Sequence, residues 1–442
     1  MNDTLSRLRD GQRRGATRLA LREGLTEFPR EVFALADTLE ILDLSGNALD
    51  ALPADLHRLH RLRVLFCSDN RFTVLPESLG RCAQLEMVGF KANRIAEVPA
   101  SALPPRLRWL ILSDNAIEQL PDALGQRHRL QKLMLAGNRL RALPATLAGC
   151  ERLELLRIAA NRFDTLPPWL TRMPRLSWLA FGGNPLNAVR EAAVLAAPPL
   201  PAIGWRALEV HEVVGEGASG LIHRATWTEA PGGARQVALK LFKGALTSDG
   251  APQSELAASL AAGPHPHRIG AEGRLSGHPD GTEGLVMPWA DTSFAVLAGP
   301  PSFDSCTRDI YAEGTRFAPE AALRLARGIA GAVADLHARG LLHGDLYGHN
   351  ILWRADGEAR LGDLGAASFL SDDEDALQGL EARAFGCLAE ELLHHSDPAA
   401  PLLAPLAAVA ARCLQPAPAA RPAFDEIARA LAGTLATAPA AR

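Results

Sequence analysis

The sequence predicts two architectures in one chain: an α/β solenoid of short stacked units, followed by an α+β domain. Three observations lead there. Asparagines return every 22 or 23 residues from Asn47 to Asn184. Beyond Trp205, segments of strand-like alternation run into segments of helical spacing. The stretch from Leu342 to Leu352, His-Gly-Asp-Leu-Tyr-Gly-His-Asn-Ile between its leucines, sets an Asp five positions before an Asn, with Asp363-Leu364-Gly365 thirteen residues further on.

Bulk properties set the frame. A length of 442 residues leaves room for two to four domains, and 48% apolar with 22% charged residues is ordinary globular content. A net charge of −4 gives no reason to expect nucleic acid, whose binders rest on a basic surface. The six cysteines show neither pairing nor metal spacing, so they are expected as core thiols in a reducing compartment. No signal-peptide run and no apolar stretch near 18 residues appears, so no membrane span is expected. A cytoplasmic location follows as the expectation, with export by a signal-less route as the alternative.

Residues 1–16 read as an N-terminal tail and 17–190 as the repeat array. The asparagines are Asn47, Asn70, Asn93, Asn115, Asn138, Asn161 and Asn184, and all but the last are followed six residues later by a proline. Leucines recur around each one, as at Leu39, Leu42, Leu44, Leu49, Leu52, Leu56 and Leu59. The pattern resembles the leucine-rich repeat family. Each copy is one short strand and a return segment that cannot bury its leucines alone, so copies must stack. A degenerate first copy carries Glu23 in the Asn slot and Pro29 in the proline slot, as a capping repeat would. Strand alternation assigns the fourth and sixth residues before each Asn to the concave face. Phe66, Trp109, Ile111, Met134 and Trp178 fall there, an apolar strip expected to bind a protein partner or substrate.

Residues 191–204 open with a possible capping helix and end in a Pro-rich stretch that reads as a stiff connector. The second domain is expected over 205–437, with a tail at 438–442. Leu208 to Val214 alternates like a strand and enters Gly215-Glu216-Gly217-Ala218-Ser219-Gly220. Ile222 to Trp227 continues as a second strand, so this glycine-rich loop is a hairpin that can lie over phosphates. A third strand carries Lys240 among apolar neighbours, where the charge needs an anion, and Glu255 at the head of a helical run is the natural partner. Pro319 to Arg339 reads as a long helix stopped by Gly340. In the Asp345 stretch, one carboxylate can accept a hydroxyl proton, while an amide oxygen and a second carboxylate can serve a hard cation.

Together these residues resemble the protein-kinase family across 208–435, and the whole chain resembles leucine-rich-repeat protein kinases of bacterial type. The resemblance implies a bilobal domain, β-rich then helical, that binds ATP and Mg2+. It implies that Lys240 holds the α and β phosphates and pairs with Glu255. It places Ile222, Ala238 and Leu352 around the adenine, makes Met287 the gatekeeper, and makes Pro288, Trp289 and Ala290 the hinge. Asp345 becomes the catalytic base, and Asn350 and Asp363 the magnesium ligands. A Cys413 to Ile427 segment resembles the family's closing Arg-Pro motif at Arg421-Pro422.

The chain also departs from that family. Gly344 stands where an arginine that reads activation-loop phosphorylation is usual, and Tyr347 where serine/threonine kinases carry a lysine. Only eighteen residues separate Asp363 from Glu381, with no Ala-Pro-Glu, and Ser371 to Asp375 is acidic. The function expected is Mg- and ATP-dependent phosphorylation of a protein, Ser/Thr first and Tyr second, with the repeats recruiting the partner. The alternatives are a small-molecule kinase of the aminoglycoside or choline kinase type, and a pseudokinase scaffold.

Overall fold

Short parallel strands recur at the repeat period, each with its central residue buried. The computed structural model describes residues 4–197, 200–217, 219–244, 246–247, 249–371 and 376–432. Ala218, Pro198 and Pro199 of the expected connector, residues 372–375 of the acidic run, and the expected tail at 438–442 lie outside the described residues. The chain divides into two compact units, Met1–Leu170 and Thr171–Arg442.

The first unit opens with a helix, α1 (Thr4–Arg9), where a tail was expected. Leu5 and Leu8 are buried, and the Glu23 carboxylate accepts the backbone N–H groups of Thr4 and Leu5 at 2.8 and 3.2 Å. Burial of two leucines and a capped first turn explain why this segment folds. Seven strands follow: β1 (Arg18–Ala20), β2 (Ile41–Asp43), β3 (Val64–Phe66), β4 (Met87–Gly89), β5 (Trp109–Ile111), β6 (Lys132–Met134) and β7 (Leu155–Arg157). They pair in parallel and one repeat apart, so that Val64 lies opposite Met87 and Met87 opposite Trp109. The return segments are 3-10 helices of three to six residues, five of them entered at Pro29, Pro76, Pro99, Pro121 and Pro144. Proline suits that place because its fixed φ leads into the turn and no N–H is missed.

The recurring asparagines form the ladder that the repeat implies. Asn138 donates to the carbonyls of Leu112 and Leu135, both at 2.9 Å, and accepts from the Ile117 N–H at 3.0 Å. Asn70 likewise donates to Leu44 and Cys67 and accepts from Leu49. Each amide thus satisfies backbone groups of neighbouring copies that a three-residue strand leaves unpaired.

The second unit does not start where the connector was expected. It takes in the last repeat, with β8 (Trp178–Ala180), and the helix α2 (Pro185–Ala196). The Pro-rich end then becomes a strand, β9 (Ala202–Gly204). Next come β10 (Leu208–Glu216), β11 (Gly220–Trp227), β12 (Arg235–Phe242), helix α3 (Pro252–Ala262), β13 (Gly273–Ser276) and β14 (Gly284–Pro288). The sheet order is β10-β11-β12-β14-β13-β9, antiparallel except for β9, which runs parallel to β13. Ile203 explains the correction: it is buried in one core with Leu208, Val237, Leu239 and Val286, so the connector is drawn into the sheet.

The remainder is mainly helical: β15 (Ala295–Val296), α4 (Pro319–Ala338), β16 (Leu341–Leu342), β17 (Ile351–Trp353), β18 (Ala359–Leu361), β19 (Ser368–Phe369), α5 (Gln378–His394), α6 (Ala404–Cys413) and α7 (Phe424–Ala432). Helix α4 starts at Pro319, as its sequence predicts, and stops short of Gly340, whose φ is +70°. All six cysteines are buried, and none is in a disulfide.

Candidate active site

The glycine-rich segment is a hairpin turn between β10 and β11, closed by the Gly217 N–H donating to the Gly220 carbonyl at 3.0 Å. Lys240 on β12 lies opposite Ile222 and Leu285, and its Nζ donates to Glu255 Oε1 in the first turn of α3. Both side chains are buried. Burial raises the Glu255 pKa, Lys240 opposes it and Asp363 adds to it, leaving a net upward shift. Glu255 Oε2 has no hydrogen-bond partner among the described residues.

One cleft gathers Gly217, Ser219, Gly220, Ile222, Lys240, Glu255, Met287 and Asp363. Gly215 and Glu216 belong to the same hairpin. Ala238, Leu352, Pro288, Trp289 and Ala290 are not among the residues lining the cleft. Ala238 is buried opposite Met287 in the β12–β14 register, and Leu352 is half-buried on β17.

The loop after β16 sets the second half of the site. Buried His343 donates from Nε2 to the Gly362 carbonyl at 2.9 Å and accepts the Asp345 N–H at Nδ1, 3.2 Å away. One imidazole thereby ties the Asp345 loop to the turn that carries Asp363. Asn350 Nδ2 donates to Asp345 Oδ2 at 2.7 Å and to its carbonyl at 2.9 Å. Asp363 sits at φ +51°, a left-handed conformation uncommon outside glycine, and its Oδ1 accepts the Gly365 N–H at 3.0 Å.

Three features escaped the sequence reading. Glu381, fully buried, accepts the N–H groups of His343 and Gly344 at 3.2 and 2.7 Å and the Nε2–H of His337 at 2.7 Å. Burial opposes its ionisation, but these donors win and its pKa is lowered. His349 donates from Nδ1 to Asp309 at 2.7 Å and presents Nε2 to Asp345 Oδ2 at 4.0 Å. Burial disfavours its charged form, yet Asp309, Asp345 and Asp363 together raise its pKa. A histidine next to Asn350 was the available signal; nothing marked Asp309.

The third is Trp178. It was expected on the solvent side of the repeats and is instead buried, 1% exposed, with its Nε1–H donating to the Leu346 carbonyl at 3.0 Å. Strand alternation says which face a side chain takes, not what lies against that face. Phe66, Trp109, Ile111 and Met134 are half-buried on the strands of the first unit.

Asp363 Oδ2 and Asn350 Oδ1 accept no hydrogen bond among the described residues, which fits the hard oxygen donors that magnesium prefers. The Lys240 ammonium in the same cleft suits a nucleotide phosphate. Among the described residues, no helix is long and apolar enough to cross a membrane.

Residues 208–397 match the protein tyrosine and serine/threonine kinase family, and residues 61–82 and 105–163 match leucine rich repeats. The chain is similar to the serine/threonine-protein kinase mos of Xenopus laevis, 26% identical over 182 residues, 40% of this chain and 46% of that protein. Among solved structures it is similar to a leucine-rich-repeat protein of Leptospira interrogans, 26% identical with a TM-score of 0.32, over 37% of this chain and 47% of that one. The chain thus spans just under half the length of each. Leucine-rich repeats and a protein kinase domain are joined in this one polypeptide.

Proposed function

We propose that the kinase domain transfers the γ-phosphoryl group of ATP to a protein hydroxyl, serine or threonine before tyrosine, with magnesium as the metal. The observation that carries this is the single cleft in which the Lys240–Glu255 pair and Asp363 meet, beside the loop where Asn350 orients Asp345. Lys240, held by Glu255, faces the phosphates. Asp345 takes the hydroxyl proton as that oxygen bonds to the γ-phosphorus and ADP departs. Asn350 and Asp363 would hold magnesium, which when bound neutralises charge on the phosphates. The half-buried strip of Phe66, Trp109, Ile111 and Met134 is the proposed recruiting face for a protein partner.

The short segment between Asp363 and Glu381 favours a second reading, a small hydroxylated solute as acceptor, because little chain is left to dock a peptide. Radiolabelled ATP separates the two when purified protein is offered lysate protein in one arm and dialysable solutes in the other. Asp345→Asn and Asp363→Ala should each lower transfer at least a thousandfold, about 4 kcal/mol, with an unchanged melting curve. Full transfer by either variant sinks the assignment, and no turnover by wild type with magnesium and ATP leaves a scaffold.

A further inference from the structure

The last repeat is fastened to the loop that carries Asp345. The indole of Trp178 stacks on the Tyr347 ring, with centroids 4.2 Å apart and planes within 8°, while its N–H holds the Leu346 carbonyl. Leu346 and Tyr347 directly follow Asp345. On the other side of Asp345, a Cβ at Gly344 would lie 2.6 Å from both the Leu179 and the Ala366 carbonyl oxygens, and φ there is +75°. The repeat backbone therefore occupies the space that any side chain at 344 would need.

The same repeat holds the strand pair that leads into the loop. The Phe181 and Gly182 N–H groups donate to Ser368 Oγ at 2.9 and 3.0 Å, and Asn187 Nδ2 donates to the Phe369 carbonyl at 2.8 Å. Ser368 and Phe369 form β19, which pairs with Leu341 and Leu342 just before His343. Arg421 extends a buried guanidinium to the Pro174 carbonyl at 2.7 Å, as well as to Gly379 and Gln415. Glu191 of α2 accepts from the Gly183 N–H and from Ser254 Oγ at the head of α3, one residue before Glu255. The Asp345 loop is thus gripped on both flanks by one segment, and that segment also touches the helix bearing the Lys240 partner.

We propose that Trp178 is a positioning residue for phosphoryl transfer: it fixes Leu346 and Tyr347, and through them Asp345, so that the last repeat is a built-in part of the catalytic domain. This rests on the kinase reading above. Trp178 does not line the nucleotide cleft, so its loss should disturb the geometry of transfer while leaving ATP affinity alone. Misplacing a reacting group by about 1 Å costs on the order of a hundredfold in rate. Because Tyr347 and Leu346 follow Asp345 without a break, the grip acts directly on the catalytic backbone. Ser368, fully buried, accepts the repeat's N–H groups and is closed to modification in this arrangement.

The test uses the full chain with Trp178→Leu, Trp178→Phe and Ser368→Ala. Each is measured for melting temperature, kcat, KM for ATP, and hydrogen exchange of amides 344–350 without nucleotide. Trp178→Leu should lower kcat tenfold or more, about 1.4 kcal/mol, with KM for ATP within about twofold and faster exchange at 344–350. Trp178→Phe, which keeps the stack and loses the N–H, should recover part of both. Ser368→Ala should follow in the same direction with smaller amplitude, and it decides the matter if Trp178→Leu does not fold. Unchanged kcat and exchange in a folded variant overturn the proposal, and so does a rise in kcat, which would make the repeat a brake. If wild type transfers no phosphate, the kinase reading fails, yet the exchange arm still reports whether Trp178 holds the loop.

Discussion

Trp109 and Trp178 occupy the same slot of the repeat, six residues before Asn115 and Asn184, and end in different surroundings. Trp109 is half-buried, with its N–H 3.3 Å from Met134 Sδ and the Lys132 ammonium 4.4 Å from the ring centre. Both neighbours belong to the next strand of the array. Trp178 is buried, and its neighbours Leu346 and Tyr347 lie almost 170 residues away in sequence. The same template position therefore serves as surface in one copy and as core in another. A repeat dictates direction, and the chain that follows decides whether that direction meets water or protein.

The largest effect expected of this contrast is on stability. Trp178→Ala should cost about 3–5 kcal/mol, as large-to-small changes at buried aromatic sites do. Trp109→Ala should cost about 1 kcal/mol, since partial exposure and one cation–π contact leave less to lose. Denaturant unfolding of each variant checks this, and equal costs would dissolve the distinction. Next in size is the ladder that holds the array without outside help. Asn138→Ala leaves the Ile117 N–H without its acceptor, and the Leu112 and Leu135 carbonyls each with one asparagine donor fewer, Asn115 and Asn161 remaining. It should cost about 1–3 kcal/mol. A loss below about 0.5 kcal/mol would show that water takes over those groups.

Much of this contrast was hidden from sequence for physical reasons. The period, the asparagines and the prolines are local signals, and the stacked strands follow from them. Lys240, Glu255, Asp345, Asn350 and Asp363 could be picked out because their chemistry is legible in short spacings. Trp178 could not be placed, because its partner is set by tertiary contact. The same is true of β9, where Ile203 in a Pro-rich connector gains a core that no local pattern announces. Glu381 stands in the first turn of α5, and nothing in its local sequence announces that the His343 and Gly344 amides donate to it.

The smallest expected effect concerns that carboxylate, which grips the Asp345 loop from within the kinase domain as Trp178 does from the last repeat. Its folded pKa lies below its unfolded value, so its contribution is complete above the ordinary glutamate range. That contribution is lost as pH falls through the unfolded value and on to the folded one. Glu381→Gln should therefore flatten the fall in urea midpoint below about pH 4.5, whatever it costs at neutral pH. Parallel pH profiles for the two proteins would mean the acid limb belongs to other groups.

The buried thiols turn the two units into separately readable clocks. Cys67, Cys82 and Cys150 lie in the first unit and Cys306, Cys387 and Cys413 in the second, all enclosed. Burial pushes Cys82 and Cys150 up to about 11 and Cys413 to about 12, so thiolate is scarce even where reagent could reach. Alkylation must wait for the surrounding structure to open. Mass-resolved labelling of the first three against the last three would time the opening of each unit in the intact chain, with no probe added.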